Sequence, residues 1–135
     1  MIDKEIMKIA SNTENHGVLN NHTHFSRLKN SICGDEIKVY LIIQDNKILD
    51  FKYECESCVY CQASVSLLSK NAKNKSIEKV KRFTEQAINI FEKNLQSFDK
   101  ELNEFNKIIK KNNISRKECV LLPFKTVAKA LNYKL

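Results

Sequence analysis

The sequence is poor in the residues that make tight turns, with two glycines and one proline among 135 residues. Because glycine and proline are the commonest residues of such turns, their scarcity favours a helix-rich structure over a fold made of many short strands. No stretch approaches the roughly 20 consecutive apolar residues of a membrane-spanning helix. The first residues include Asp3, Lys4 and Glu5 and lack the apolar run of a signal peptide. We therefore expect a cytoplasmic protein without membrane contact, in which thiols stay reduced.

Acidic residues are fewer than basic ones, 16 against 23, and the formal net charge is +7. A basic protein can bind an anionic partner, but the lysines here are spread along the chain. They cluster only in "KNKSIEKVKR" and "KIIKKNN", where helix exteriors or helix ends are expected. The charge is therefore interpreted as a solvated surface, and nucleic-acid binding is the weakest of the hypotheses considered.

The length fits a single domain over residues 1–135 with a core of its own. Apolar residues alternate with polar ones in two segments separated by the turn-forming residues "QDNK". This period of two predicts a β-hairpin. Its inner face would carry Ile37, Val39, Leu41 and Ile43 from one strand and Leu49, Phe51, Tyr53 and Cys55 from the other. A further short strand over residues 25–29 would give an antiparallel sheet of about three strands.

Apolar residues recur at helical spacing both before and after this sheet region. It predicts helices over residues 2–11, from Cys58 to about Lys70, and after Ser76, which is a good N-cap residue. The apolar pattern continues to residue 109 with a break near Gln96–Asp99, and its stripe Phe98, Leu102, Phe105 and Ile109 is typical of a core or of an oligomer contact. Residues 110–118 are interpreted as a loop, and Pro123 as part of the first turn of the last helix. The predicted fold class is α+β, a small sheet covered by helices.

Five cysteines in a reducing compartment indicate metal or thiol chemistry before disulfides. Cys33 lies in a tight Cys-Gly-Asp turn, Cys58 where a helix begins, and Cys119 at or just before the start of the last helix. Amides at a helix start stabilise a thiolate, which is the form that binds metal or accepts sulfur. With Asp35, three thiolates could complete a tetrahedral shell around zinc or iron. Spacing alone leaves open whether these residues converge.

The remaining thiols and the histidines have simpler explanations. Strand alternation places Cys55 on the apolar face, so we interpret it as a core thiol. Cys61 follows Cys58 by three residues on a helix, and a spare ligand, a persulfide relay, a redox partner and a packed core residue all remain open for it. His16, His22 and His24 lie in polar segments typical of a surface.

The stretches "NSICGDEIKVYLIIQDNKILDFKYECESCVYCQASVSLLSK" and "RKECVLLPFKTVAKAL" together resemble the NifU N-terminal, IscU and SufU-type scaffolds of iron–sulfur cluster assembly. That family has an ordered Cys-Gly-Asp, Cys and Cys pattern, and the resemblance implies a NifU-N/SufE-like fold. It also implies that Cys33, Asp35, Cys58 and Cys119 are the cofactor and metal ligands, with Cys58 and Cys119 as candidate sulfur acceptors. Relatives usually have glycine at the position of Cys55, and serine or alanine at that of Cys61.

The resemblance implies a scaffold or carrier and not an enzyme. Such a protein accepts sulfur from a cysteine desulfurase, binds iron and assembles a labile cluster, most simply a 2Fe–2S cluster. It then transfers the cluster to recipient apo-proteins or carrier proteins. The alternative is a SufU-like, zinc-dependent sulfur acceptor that uses the same four residues and would be a sulfurtransferase. A basic metal-stabilised nucleic-acid-binding module is the weaker third hypothesis, and a homo-oligomer stays open. The Leu-Pro-Pro-Val-Lys chaperone-docking motif of some relatives is absent before Cys119.

Overall fold

In the part of the chain that the structure describes, four α-helices and two 3-10 helices accompany a three-stranded antiparallel sheet whose strands lie side by side in chain order. The structure, a computed structural model, describes residues 4–32, 34–92 and 100–133, with the backbone alone for residues 100–102, 111 and 112. The elements in chain order are α1 (Lys4–Ala10), β1 (His24–Lys29), β2 (Glu36–Gln44), β3 (Lys47–Glu56), α2 (Val59–Ala72), α3 (Ile77–Glu92), the 3-10 helices Lys100–Lys107 and Lys111–Arg116, and α4 (Lys117–Ala130). The predicted α+β class with about three strands is confirmed.

The hairpin of β2 and β3 turns at Asp45 and Asn46, between the paired residues Gln44 and Lys47. Both turn residues have positive φ angles, 52° and 63°. A two-residue loop with two such residues matches the twist of the adjoining strands. Aspartate and asparagine tolerate this conformation better than other non-glycine residues, so a chain with few glycines can still close the hairpin tightly.

A β-bulge at Leu49 changes which face of the sheet the start of β3 presents. Ile42 pairs with Asp50 and Ile43 pairs with Ile48, so Leu49 has no partner on β2. As a result Ile48 is fully buried, whereas Leu49 is 43% exposed. The prediction that Leu49 faces the core with Phe51 and Tyr53 is wrong, because one inserted residue reverses the alternation on its N-terminal side.

Helix α2 lies between the inner face of the sheet, α1 and α4. Every residue from 63 to 69 is buried, so its three serine hydroxyls need partners inside the protein. Ser64 donates to the Val120 carbonyl at 2.6 Å, Ser66 to the Asn12 carbonyl at 2.9 Å and Ser69 to the Ser66 carbonyl at 2.9 Å. Two of these bonds connect α2 to α4 and to the segment after α1.

The C-terminal third departs from the sequence interpretation. Residues 111–116, predicted as loop, form a 3-10 helix, and α4 begins directly after it at Lys117. Pro123 therefore lies inside α4 and not in its first turn. Proline cannot donate to the carbonyl four residues earlier, which is that of Cys119. Burial of Val120, Leu121 and Leu122 offsets this cost, because it packs the preceding turn against the core.

The apolar residues of the segment before α4 are partly described. Phe105 and Ile109 are buried in the core, which favours the core interpretation of the stripe over an oligomer contact for these two residues. Phe98 and the predicted break near Gln96–Asp99 lie outside the described residues. Within the ranges described, no helix has both the length and the apolar character needed to cross a membrane.

Ser76 caps α3 as predicted, since its Oγ accepts a hydrogen bond from the Lys79 amide at 3.1 Å. We expect Ser76→Ala to lower the free energy of unfolding by about 1 kcal/mol, and the matched variant Ser76→Gly to lower it by only a few tenths. Urea denaturation of the two variants beside wild type measures the difference. Equal losses for alanine and glycine would contradict a capping role for this hydroxyl.

Candidate metal and sulfur site

Asp35 is brought inward by a turn that precedes β2. The Asn30 amide donates to the Asp35 carbonyl at 2.7 Å, and the Gly34 amide donates to the Asn30 carbonyl at 2.8 Å. Gly34 has a φ angle of +77°, which a side chain would strain. Asp35 is left only 6% exposed. Cys33, the first predicted ligand, lies outside the described residues.

Cys58 is the N-cap residue of α2, with an extended backbone at φ −71° and ψ 167°. Its amide donates to Asp35 Oδ1 at 3.2 Å, and its carbonyl accepts the Gln62 amide at 3.0 Å in the first helical turn. The predicted position at a helix start is confirmed. The Asp35 carboxylate thus contacts the residue that begins α2, although the two lie on different elements.

Cys119 is the third residue of α4 and lies inside its first turn, close to the predicted position at or just before the helix start. It is 5% exposed, whereas Cys58 is half-buried. The starts of α2 and α4 are held together by the bond from Ser64 to Val120 and by the Arg116 guanidinium, 5.4 Å from the centre of the Tyr60 ring. Because Arg116 is exposed, such a cation–π contact stabilises the approach of the two helix starts by about 0.5–1 kcal/mol.

The sequence interpretation missed Arg116 and Tyr60 as supports of the site. Tyr60 lies two residues after Cys58, and Arg116 three residues before Cys119. Spacing of three residues puts Arg116 one turn from Cys119, but this signal requires a helix at 117, where the sequence indicated a loop.

Asp35, Cys58 and Cys119 converge at one point. Their potential ligand atoms, a carboxylate oxygen and two Sγ atoms, all lie within 4.8 Å of one another. One carboxylate oxygen, Asp35 Oδ2, is buried and receives no hydrogen bond among the residues described. A buried carboxylate oxygen without a partner is costly unless a cation compensates it. Two thiols and a carboxylate form a donor set that suits zinc or iron.

Cys61 lies one turn into α2 and is completely buried. Burial raises the pKa of its thiol, and negative charge on Cys55, Asp35 or Cys58 raises it further. Cys61 is not among the convergent ligand atoms found in the described part of the chain.

Cys55 packs partly against the core as predicted and is half-buried. Burial also raises the pKa of the Cys55 thiol. With His16 it lines two clefts of about 210 and 180 Å³ beside β3.

The histidines stand apart from these ligand atoms. His22 Nδ1 lies 2.6 Å from the Leu19 carbonyl oxygen, and His24 Nδ1 lies 2.8 Å from Thr23 Oγ1. The His16 ring meets the Tyr53 ring edge-on with 5.5 Å between centres. Each imidazole therefore has a local contact that accounts for its position.

The chain is similar to known proteins over nearly its whole length. The sequence model of the family of NifU-like N-terminal domains matches residues 1–110 of this chain. The chain is 31% identical over 132 residues to the iron-sulfur cluster assembly scaffold protein IscU of Thermotoga maritima, covering 97% of this chain and 92% of that protein. It is 34% identical over 73 residues to the zinc-dependent sulfurtransferase SufU of Bacillus subtilis, covering 54% of this chain and 49% of that protein.

A solved structure gives the same result for the fold. The putative iron-sulfur cluster assembly scaffold protein for the SUF system from Fervidobacterium islandicum AW-1 is similar with a TM-score of 0.87 and 28% identity, covering 96% of each chain. The family resemblance inferred from the cysteine motifs and the predicted fold are confirmed. The family match ends before Cys119, but the similarity to the Thermotoga maritima protein extends past it.

The raised pKa values of Cys55 and Cys61 predict slow alkylation by iodoacetamide at neutral pH, because only the thiolate reacts. Since the pKa of the Cys55 thiol lies above its ordinary value of 9.0, the rate of Cys55 alkylation should still be rising with pH at pH 9.0. Cys61 should react only when the chain unfolds. Mass spectrometry of the labelled peptides, with guanidinium-unfolded protein as control, measures both rates. Equal labelling of Cys61 in folded and unfolded protein would contradict its burial.

Proposed function

Because this chain belongs to the family of NifU-like N-terminal domains, we propose that it is an iron–sulfur cluster assembly scaffold formed by one domain over residues 1–135. The observation that carries the proposal is the convergence of Asp35, Cys58 and Cys119 within 4.8 Å, at the start of two helices. Cys33, next to the Asp35 turn in the sequence, would supply the third thiolate. Iron and sulfide are the cargo of this site.

Sulfur would arrive as the persulfide of a cysteine desulfurase, and Cys58 is the thiol best placed to accept it. Cys58 is half-buried, whereas Cys119 is 5% exposed and less open to a macromolecular donor. The Cys58 thiolate would attack the outer sulfur of the donor persulfide, and the donor cysteine would leave as a thiolate.

Asp35 would be the ligand through which the cluster is released. A carboxylate oxygen holds soft iron–sulfur centres less firmly than a thiolate does. The hydrogen bond from the Cys58 amide to Asp35 Oδ1 fixes the carboxylate and leaves Oδ2 for the metal. A recipient apo-protein or carrier protein could then displace the oxygen first and take over the cluster.

A zinc-dependent sulfur acceptor is the second hypothesis, favoured by the likeness to the Bacillus subtilis sulfurtransferase. Zinc suits the same four residues, and one cysteine would leave the metal to accept sulfur. Both hypotheses require a cysteine desulfurase, and a cytoplasmic location would keep the thiols of this site reduced. Binding to nucleic acid has less support, because several lysines pair with carboxylates, among them Lys70, Lys73, Lys107, Lys117 and Lys125.

The scaffold proposal predicts iron and acid-labile sulfide on wild-type protein after anaerobic incubation with iron, cysteine, a desulfurase and excess dithiothreitol. Cys58→Ser should lose both, because a hydroxyl is a poor ligand for iron–sulfur centres. Cys55→Ser, changed three residues away, is the matched control and should retain them. Metal analysis and sulfide assay measure the outcome. Stoichiometric zinc that the incubation does not displace would favour the sulfurtransferase, and protein that holds neither metal would contradict both hypotheses.

Asp35→Ala should give a cluster that persists on the order of tenfold longer in the presence of an apo-protein acceptor, a change of about 1.4 kcal/mol in the barrier to release. The variant lacks the exchangeable oxygen through which release begins. Asp50→Ala is the control, since it removes a half-buried carboxylate paired with Lys73 elsewhere on the sheet. Loss of cluster absorbance over time measures the rate of cluster release. If the cluster on Asp35→Ala decays at the wild-type rate, this role for Asp35 is contradicted.

A further inference from the structure

Cys58 and Cys61 form a Cys-x-x-Cys pair at the start of α2. Cys58 is the N-cap residue, and Cys61 is the third residue of the helix. Side chains at the N-cap and third positions are neighbours, which is why a capping box forms between them. A cysteine pair at a helix start is also the arrangement of many redox-active dithiols. Both cysteines are free thiols in this structure.

The extended N-cap conformation of Cys58 lets this pair approach the geometry of a disulfide. Residues three apart on a helix have Cβ atoms about 5–6 Å apart, and a disulfide needs about 3.5–4.5 Å. Cys58 can make this adjustment, because its backbone is extended and its amide bonds to Asp35 Oδ1 and not to a helical carbonyl. Cys61 is held within the regular helix.

The two thiols differ in access. Cys58 is half-buried and converges with Asp35 and Cys119, whereas Cys61 is fully buried and outside that group of ligand atoms. A sulfur donor can therefore reach Cys58 from the solvent side, whereas Cys61 is enclosed in the core. Displacement at sulfur proceeds in line, so a thiol on the core side attacks the inner sulfur and expels the outer one toward the site.

From this geometry we infer that Cys61 is a resolving thiol, which releases the sulfur carried on Cys58 as sulfide beside Asp35 and Cys119. The inference rests on the proposed function, since it requires a persulfide on Cys58. Cys61 Sγ bonds to Cys58 Sγ, and the bond from Cys58 Sγ to the outer sulfur breaks. The outer sulfur leaves with the electron pair and takes up the Cys61 proton, so it departs as hydrogen sulfide or hydrosulfide. The two cysteines are oxidised to a disulfide, and the outer sulfur is reduced.

The step needs no other reductant for one turnover, because the two thiols supply both electrons. A further turnover requires an external dithiol to reopen the disulfide. The burial of Cys61 keeps its thiol from reacting with other oxidants and donors, so it acts only on sulfur that Cys58 already carries. Cys119 is close to Cys58 as well, but a disulfide between those two would consume two of the convergent ligands at once.

The test is a single turnover of the full chain with glutathione persulfide as donor, under anaerobic conditions and without added reductant. Wild type, Cys61→Ala, Cys61→Ser and the matched control Cys55→Ser are compared for sulfide released per chain and for the sulfur content of the cysteine peptides. We expect wild type and Cys55→Ser to release sulfide and to gain a Cys58–Cys61 disulfide. Both Cys61 variants should retain the Cys58 persulfide and release about tenfold less sulfide, because no other thiol lies one helical turn beyond Cys58.

Each other outcome overturns the inference in a distinguishable way. Release from the Cys61 variants at the wild-type rate, a disulfide that maps to Cys119, or a persulfide that moves intact to Cys61 would contradict the resolving step alone. A Cys58 persulfide that wild type and Cys61→Ala retain equally would do the same and would leave the proposed function in place. Absence of persulfide on Cys58 in every variant would contradict sulfur acceptance at Cys58, and the inference with it.

Discussion

The burial of α2 on every side constrains the rest of this molecule. A helix without a solvent-facing surface over residues 63–69 must be covered by the sheet, by α1 and by α4, and its serine hydroxyls must find partners inside the protein. Ser64 and Ser66 satisfy this requirement by bonding to the backbone of α4 and of the segment after α1. Because each buried hydroxyl costs free energy if it loses its partner, these bonds specify one position for α2. That position sets where Cys58 lies.

The candidate site follows from this arrangement. Its three described members come from the turn before β2, the start of α2 and the first turn of α4. The Asp35 carboxylate touches the backbone of α2, and the Arg116 guanidinium spans the two helix starts by lying over Tyr60. The buried oxygen Asp35 Oδ2 is left without a hydrogen bond among the described residues. Such an oxygen carries a desolvation cost that a bound cation would compensate, and binding of a cation would then raise the stability of the fold.

The thiols at this end of the molecule differ in how far they are buried. Cys58 is half-buried at the N-cap, Cys119 is nearly covered, and Cys61 is enclosed in the core. Exposure decides which thiol can meet a macromolecular donor, whereas burial raises the pKa and suppresses reaction with reagents from solution. Neighbouring cysteines on one helix can thus have different chemistry although their residue type is the same.

The sequence by itself determined the local features: the β2–β3 hairpin through its alternation and its Asp-Asn turn, the start of α2 at Cys58, and the Ser76 cap of α3. Ordered cysteine motifs also pointed to Asp35, Cys58 and Cys119. Only the tertiary structure decided that these three converge, that a bulge exposes Leu49, and that α4 begins at Lys117 with Pro123 inside it. Turns, caps and periodicity are encoded by neighbouring residues, so they can be predicted from short segments. Convergence of distant segments, the position of a bulge and the burial that offsets an internal proline depend on packing between elements, and no local pattern specifies that.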